Sequence, residues 1–302
     1  MLKVQEVSMA YGDFVAVKKV SFTIKPGEIF GLLGTNGAGK TTTFRMIMGL
    51  LKPREGYVTF FDEPVSYEHV NQIGYMIEER SLLTKITVKD LILYFGQLKD
   101  MNKEDILTRL DYWLKRFDIE SYKFKKIKEL SKGNQQKIQF IASVINNPKL
   151  LILDEPFSGL DPINTMLFVD AIRDFQKEGT MVIFSSHQLD RVEAFCENIV
   201  VLEKGEVILE GPIKEIKKTY QKLNIKVIAE GLDIAAIQAL EGVLEVTSDA
   251  QSTIIKVASE AYVNDVFNIV SKAKKVLTFD VMEPALSEIF ISKVRGASHE
   301  KA

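Results

Sequence analysis

One stretch, Gly34-Thr35-Asn36-Gly37-Ala38-Gly39-Lys40-Thr41-Thr42, restricts what this chain can fold into more than any other. It has the order Gly-x-x-x-x-Gly-Lys-Thr. It follows the apolar run Ile29 to Leu33 and precedes a segment whose Phe44, Ile47, Met48 and Leu51 share one helical face. A strand, a glycine-rich turn and a helix in that order make a cradle for phosphate. The glycines let the backbone fold tightly enough for successive N–H groups from Gly34 to Gly39, and the helix start at Lys40 to Thr42, to point at phosphate oxygens. Lys40 would neutralise the β- and γ-phosphates, and the Thr41 hydroxyl would ligate magnesium. The expectation is binding of a nucleoside triphosphate.

The rest of the chain predicts the sheet such a loop needs. Strand-like runs at Val4 to Met9 and Val15 to Ile24 flank the turn Tyr11-Gly12-Asp13 and predict an antiparallel start, and Tyr57 to Phe61 returns as a strand after Pro53 ends a helix over 40–51. Residues 84–129 lack strand runs and space Leu91, Phe95 and Leu98, then Ile106, Leu110, Leu114 and Phe117, as helices do. With the following helix, which carries Ile138, Ile141, Ala142 and Ile145, this predicts a helical insertion over about 84–145. Leu150 to Leu153 is an apolar run too short for a helix, and it ends in Asp154-Glu155, as a buried parallel strand would. Met181 to Phe184 repeats the pattern and runs into Ser185-Ser186-His187, and a hairpin is expected about Lys204-Gly205.

Open α/β sheets bind ligands at the carboxyl edge of their strands, which here would gather the loop, Asp154, Glu155 and His187. Asp154 is placed to hold magnesium, Glu155 to orient and polarise an attacking water, and His187 to donate a hydrogen bond to the γ-phosphate. Phosphoryl transfer depends chiefly on positioning and charge, so a weak base suffices. His69 and His299 lie in unpatterned polar stretches and receive no role.

Composition shifts near residue 219, and from 224 to 295 the pattern reads strand, helix, strand, strand, helix, strand. That βαββαβ order suggests a small ferredoxin-like sandwich, and it carries no catalytic constellation. The bulk numbers remove other classes. With 39 Lys+Arg against 41 Asp+Glu there is no basic surplus for a sequence-independent nucleic-acid clamp. The single Cys196 rules out an intrachain disulfide. No apolar run approaches the roughly 20 residues that span a bilayer, and the start Met1-Leu2-Lys3-Val4 shows no apolar leader, so a cytoplasmic chain with no direct membrane span is expected.

Taken together, Gly34 to Thr41, Leu130-Ser131-Lys132-Gly133-Asn134-Gln135-Gln136, Leu150 to Glu155, Ser158-Gly159-Leu160-Asp161 and His187 resemble the ATP-binding subunit of an ATP-binding-cassette (ABC) transporter over residues 1–219. The resemblance implies a P-loop NTPase of α/β class: a mixed sheet core, an antiparallel β subdomain and a helical subdomain, here joined to the small α+β domain. It implies ATP hydrolysis with Mg2+ and a second copy, or a homologous ATPase subunit, meeting the first head to tail. Each ATP would then lie between the loop of one chain and Ser131, Gly133 and Asn134 of the other. Those residues open a helix whose N-terminal dipole favours an anion.

Tyr11 corresponds by resemblance to an aromatic that stacks on adenine, and Asp161 to an acid that bridges the two sites. An integral membrane permease, with this chain peripheral on the cytoplasmic face, is implied as well. Two departures stand out: Lys132-Gly133-Asn134 where the family usually has Gly-Gly-Gln, and Glu78 where it usually has a glutamine that touches magnesium. A carboxylate there can ligate magnesium too. The segment around Glu78 and the tail Met282 to Phe290 resemble a bacterial exporter subgroup that includes sodium-extrusion ATPases. The alternative is a soluble cassette ATPase of translation or DNA repair. Such proteins usually carry two cassettes or a long coiled coil, whereas here only a small helical insertion separates Thr42 from Leu130.

Overall fold

The computed structural model describes residues 1–78, 83–186, 189–220 and 222–299. β1 (Leu2–Tyr11) and β2 (Phe14–Ile24) pair antiparallel across a turn that Gly12 permits with a φ of +60°. β3 (Ile29–Gly34) hands the chain to α1 (Lys40–Ile47). That helix stops before Leu51 because Gly49, at φ +69°, closes it and lets the Leu50 N–H return to the Arg45 carbonyl. β4 (Glu55–Phe60) and β5 (Glu63–Pro64) complete a four-stranded sheet in the order β2-β1-β4-β5. β6 (Ile73–Met76) belongs to a second sheet.

Three helices follow: α2 (Val88–Gln97), α3 (Lys103–Arg116) and α4 (Lys132–Val144). Thr87, Asn102 and Ser131 cap them, each side-chain oxygen accepting an amide of the first turn that would otherwise lack a partner. The chain then alternates β7 (Leu150–Asp154), α5 (Pro162–Lys177), β8 (Met181–Ser185), α6 (Leu189–Phe195), β9 (Asn198–Glu203) and β10 (Glu206–Pro212). Trp113 stacks on Phe117 at 5.7 Å and on Phe175 of α5 at 5.9 Å, and Phe140 lies 4.9 Å from Phe168, so one aromatic cluster ties the helical segment to α5.

The second sheet has the order β10-β9-β3-β8-β7-β6, with β9, β3, β8, β7 and β6 parallel. All five residues of β7 and of β8 are buried, as their apolar runs require of strands covered on both faces. Lys204 and Gly205, at φ +51° and +82°, make the two-residue turn into β10. A single apolar core joins both sheets, with Phe44 and Ile47 of α1 inside it.

By its contacts the chain divides into Met1–Glu210 and Gly211–Ala302. The division precedes the composition shift near 219 because α7 (Ile213–Thr219) packs on α10 (Leu286–His299). Between them lie β11 (Leu223–Glu230), α8 (Ile234–Gln238), β12 (Val243–Ser248), β13 (Thr253–Val257), α9 (Val263–Val270) and β14 (Lys275–Met282). The sheet runs β12-β13-β11-β14 with every neighbour antiparallel, which is the ferredoxin-like order. Ile225, Val227, Ile255 and Val257 meet Ile237, Val266 and Val270 in a core of its own.

Candidate nucleotide-binding site

From Gly34 to Gly39 the backbone turns over the carboxyl end of β3. A Cβ on Gly34 would stand 2.4 Å from the Leu202 carbonyl oxygen, and one on Gly39 2.5 Å from that of Ala16, both at positive φ, so no side chain fits at either position. Gly37 has open space but a φ of +80°. The Lys40 Nζ curls back to donate to the carbonyl oxygens of Gly34 at 2.7 Å and Thr35 at 3.2 Å, holding an ammonium over the concavity. α1 has no acid in its first turn and no side-chain cap, which leaves its N-terminal amides and dipole uncompensated.

This loop lines a cavity of about 320 Å3. Asn36, Gly37, Ala38, Gly39 and Lys40 to Thr42 form one wall, Glu78 and Asp154 reach in from the ends of β6 and β7, and Tyr11, Phe14 and Ala16 close the cavity from the β1–β2 hairpin. The structure therefore gathers Tyr11, Lys40, Thr41, Glu78 and Asp154. Thr35 turns away, its Oγ1 donating to Glu203 at 3.0 Å, and Gly34 packs against β9.

Asp154 is buried, and burial pushes its carboxyl above the usual range, with Glu78 and Glu155 pushing the same way. The Ser185 hydroxyl, which donates to Asp154 Oδ1, and the Lys40 charge pull it down. Burial, and then the Asp154 charge, push the neighbouring Tyr75 phenol up to about 12. Glu155 is also buried and takes a left-handed φ of +49°. Its N–H donates to the Ser185 carbonyl at 3.2 Å, and its carboxylate accepts from the Ser186 hydroxyl at 3.2 Å. His187 lies outside the described residues.

The remaining predicted residues sit elsewhere. Ser131 is exposed at the start of α4 and caps it, accepting the Asn134 N–H at 3.4 Å. Gly133 borders Gly159 and Leu160. Asp161 caps α5, accepting the Asn164 N–H at 2.9 Å, and hydrogen bonds from Asn164 hold its carboxyl below the usual range. Ser131, Gly133, Asn134 and Asp161 do not line the cavity. Gln136 Nε2 donates to the Pro156 carbonyl at 3.1 Å, tying α4 to the segment after Glu155. Sequence reasoning missed Phe14, Ser185, Ser186 and Glu203 as site residues. Only Phe14 had a local signal, since it faces Tyr11 across the hairpin turn.

A parallel sheet whose central strand feeds a glycine loop, a lysine and an uncapped helix start, with carboxylates at the same edge, defines a P-loop NTPase. Comparison with known proteins narrows the class. The ABC transporter family model matches residues 17–158, and the model for the C-terminal domain of DrrA1-3-like ATP-binding proteins matches residues 211–294. The uncharacterized ABC transporter ATP-binding protein YhaQ of Bacillus subtilis (strain 168) is 43% identical over 300 residues, covering 99% of this chain and 100% of that protein. The linearmycin resistance ATP-binding protein LnrL of the same organism is 29% identical over 304 residues, covering 97% of each. The dimeric bacterial ABC transporter cassette MJ0796 superposes with a TM-score of 0.63 at 27% identity, over 70% of this chain and 99% of that one. The chain belongs to the ABC transporter ATP-binding proteins: it is an ATP-binding subunit whose cassette is an ATPase. Among the described residues no helix is long and apolar enough to cross a membrane.

Proposed function

We propose that this subunit is one half of a paired motor for efflux. Two copies close head to tail around two Mg–ATP, hydrolysis lets them part, and the motion drives a separate integral membrane permease that holds the chain on the cytoplasmic face. The observation that carries the pairing is the position of the α4 start. Ser131, Gly133 and Asn134 open a helix with no acid in its first turn and with Lys132 beside them, yet none of them lines the cavity that Lys40 lines. A helix end suited to an anion, and not serving its own chain's phosphate cradle, fits the cradle of another chain. The dimeric form of the related cassette supports this reading. Efflux as the direction draws on LnrL, a resistance protein that matches along nearly the whole chain.

Within each site, Lys40 would exchange the Gly34 and Thr35 carbonyls for β- and γ-phosphate oxygens, while the loop amides take the remaining ones. Thr41, Glu78 and Asp154 offer hard oxygen donors; burial first, and then the nearby charges of Glu78 and Glu155, raise the Asp154 carboxyl, and a bound divalent cation would offset both, so the set fits Mg2+. Among the described residues no group of three or more His, Cys, Asp or Glu could hold a metal alone, which leaves part of the shell to phosphate and water. When bound, magnesium supplies charge neutralisation at the phosphates. Glu155, steadied by Ser186, orients and polarises the attacking water; His187 donates to the γ-phosphate; Tyr11, with Phe14, faces the adenine; Asp161 bridges the two sites.

Ser131→Arg separates this reading from a self-contained site. The expected result is unchanged ATP affinity with kcat lowered by about a hundredfold or more, the loss typical of removing one transition-state donor. Full turnover would remove Ser131 from the site, and a parallel loss of ATP affinity would place it in its own chain's pocket.

A further inference from the structure

β14 closes one side of the C-terminal sheet and, among the described strands, bonds only to β11. It leaves Val276, Leu277 and Val281 exposed, and Phe267 of α9, 47% exposed, stands beside Phe279 at 5.0 Å between ring centres. An edge of this length and composition is a template for another strand. The opposite edge, β12, is shorter and places Glu245 beside an irregularity in its register.

The register of β14 on β11 shows which strand would fit. Lys275 faces Glu230, Val276 faces Ala229, Phe279 faces Val227 and Asp280 faces Lys226. Lys275 and Asp280 are an odd number of residues apart and would lie on opposite faces of a regular strand. The register shift that leaves Leu277 without a partner on β11 brings both to one face. A two-fold axis between Leu277 and Thr278 then sets Lys275 against Asp280 of a second copy, and Val276 against its Phe279. On one face the row across four strands reads Glu230, Lys275, then Asp280 and Lys226 of the second copy, with charges alternating throughout. On the other face it reads Ala229, Val276, then Phe279 and Val227. The edge is therefore complementary to itself in both charge and apolar surface.

We propose that β14 pairs antiparallel with β14 of a second copy, fusing two four-stranded sheets into one and giving the subunit a dimer contact that does not depend on nucleotide. If the cassettes also pair as proposed above, this contact tethers them while they are apart and raises their effective concentration for the next closure. The contact itself does not rest on that reading.

The test is sedimentation equilibrium of the full chain at tens of micromolar without nucleotide, on the native protein, Lys275→Asp, Asp280→Lys, and an equimolar mixture of the two variants. The expected result is a native dimer, at least about tenfold weaker association for each variant alone, and recovery in the mixture, where each acid meets a lysine. Leu277→Glu, at an exposed position beside the axis, brings like charges together without altering a cross-strand pair within the chain, and should also weaken the dimer. A native chain that is monomeric without nucleotide, a dimer indifferent to all three substitutions, or a mixture no tighter than its components would overturn the proposal. Because ATP is absent throughout, failure of ATP-driven cassette pairing would not change these results.

Discussion

Glu155, proposed above to orient the attacking water, is held in a strained backbone conformation. Its left-handed backbone costs about 1 kcal/mol for a residue with a Cβ, and the surrounding bonds to Ser185, Ser186 and Ser158 hold it there. Glu155→Gln keeps the shape and a group that can accept from Ser186 while removing the charge. ATP affinity should stay near native and phosphate release should fall by about a hundredfold or more, whereas near-native release would take Glu155 out of its role. Lys40, Thr41, Asp154 and Glu155 could be picked from the chain because phosphate chemistry demands those residue types at those spacings. Ser185 could not. It meets Asp154, 31 positions away in the chain, only because β7 and β8 pair in register, which no local pattern encodes. Glu203 reaches Thr35 for a similar reason, through the pairing of β9 with β3.

Among the elements, helices were more legible than sheet order. Periodicity located α2, α3 and α4, since apolar spacing is a local property; the caps Thr87, Asn102 and Ser131 are local too, though spacing alone places these helices. That β3 lies between β8 and β9 depends on crossovers and had no local signature. One ion pair links two of the helices: the Arg116 guanidinium donates to Asp174 at 2.5 Å and lies over the Trp113 ring, so α3 and α5 are joined at the edge of the aromatic cluster. The hydrogen bond from Arg116 holds the Asp174 carboxyl below its ordinary value. A depressed folded-state value means stability that is present above the unfolded value and lost as pH falls through the folded one. Asp174 is nearly half exposed, so Asp174→Asn should cost no more than about 1 kcal/mol at neutral pH. In urea unfolding that difference should narrow as pH drops below about 4, and a gap independent of pH would show that packing, not charge, joins the helices.

At the scale of the whole molecule, the chain divides into two compact units, and the apolar core under the phosphate loop is separate from the one in the C-terminal sheet. Calorimetry should therefore resolve two transitions, and saturating Mg–ATP should raise only the cassette's, by about 3 kcal/mol at a hundredfold excess over Kd. A single transition that moves as one with ATP would mean that the two units fold as one. The proposal that each ATP is gripped by two chains is tested most directly by sedimentation of Glu155→Gln in a Lys275→Asp background. The expected result is a monomer without nucleotide, a dimer with Mg–ATP, and a monomer again when Ser131→Arg is added. A Glu155→Gln chain that binds ATP and remains monomeric would contradict it.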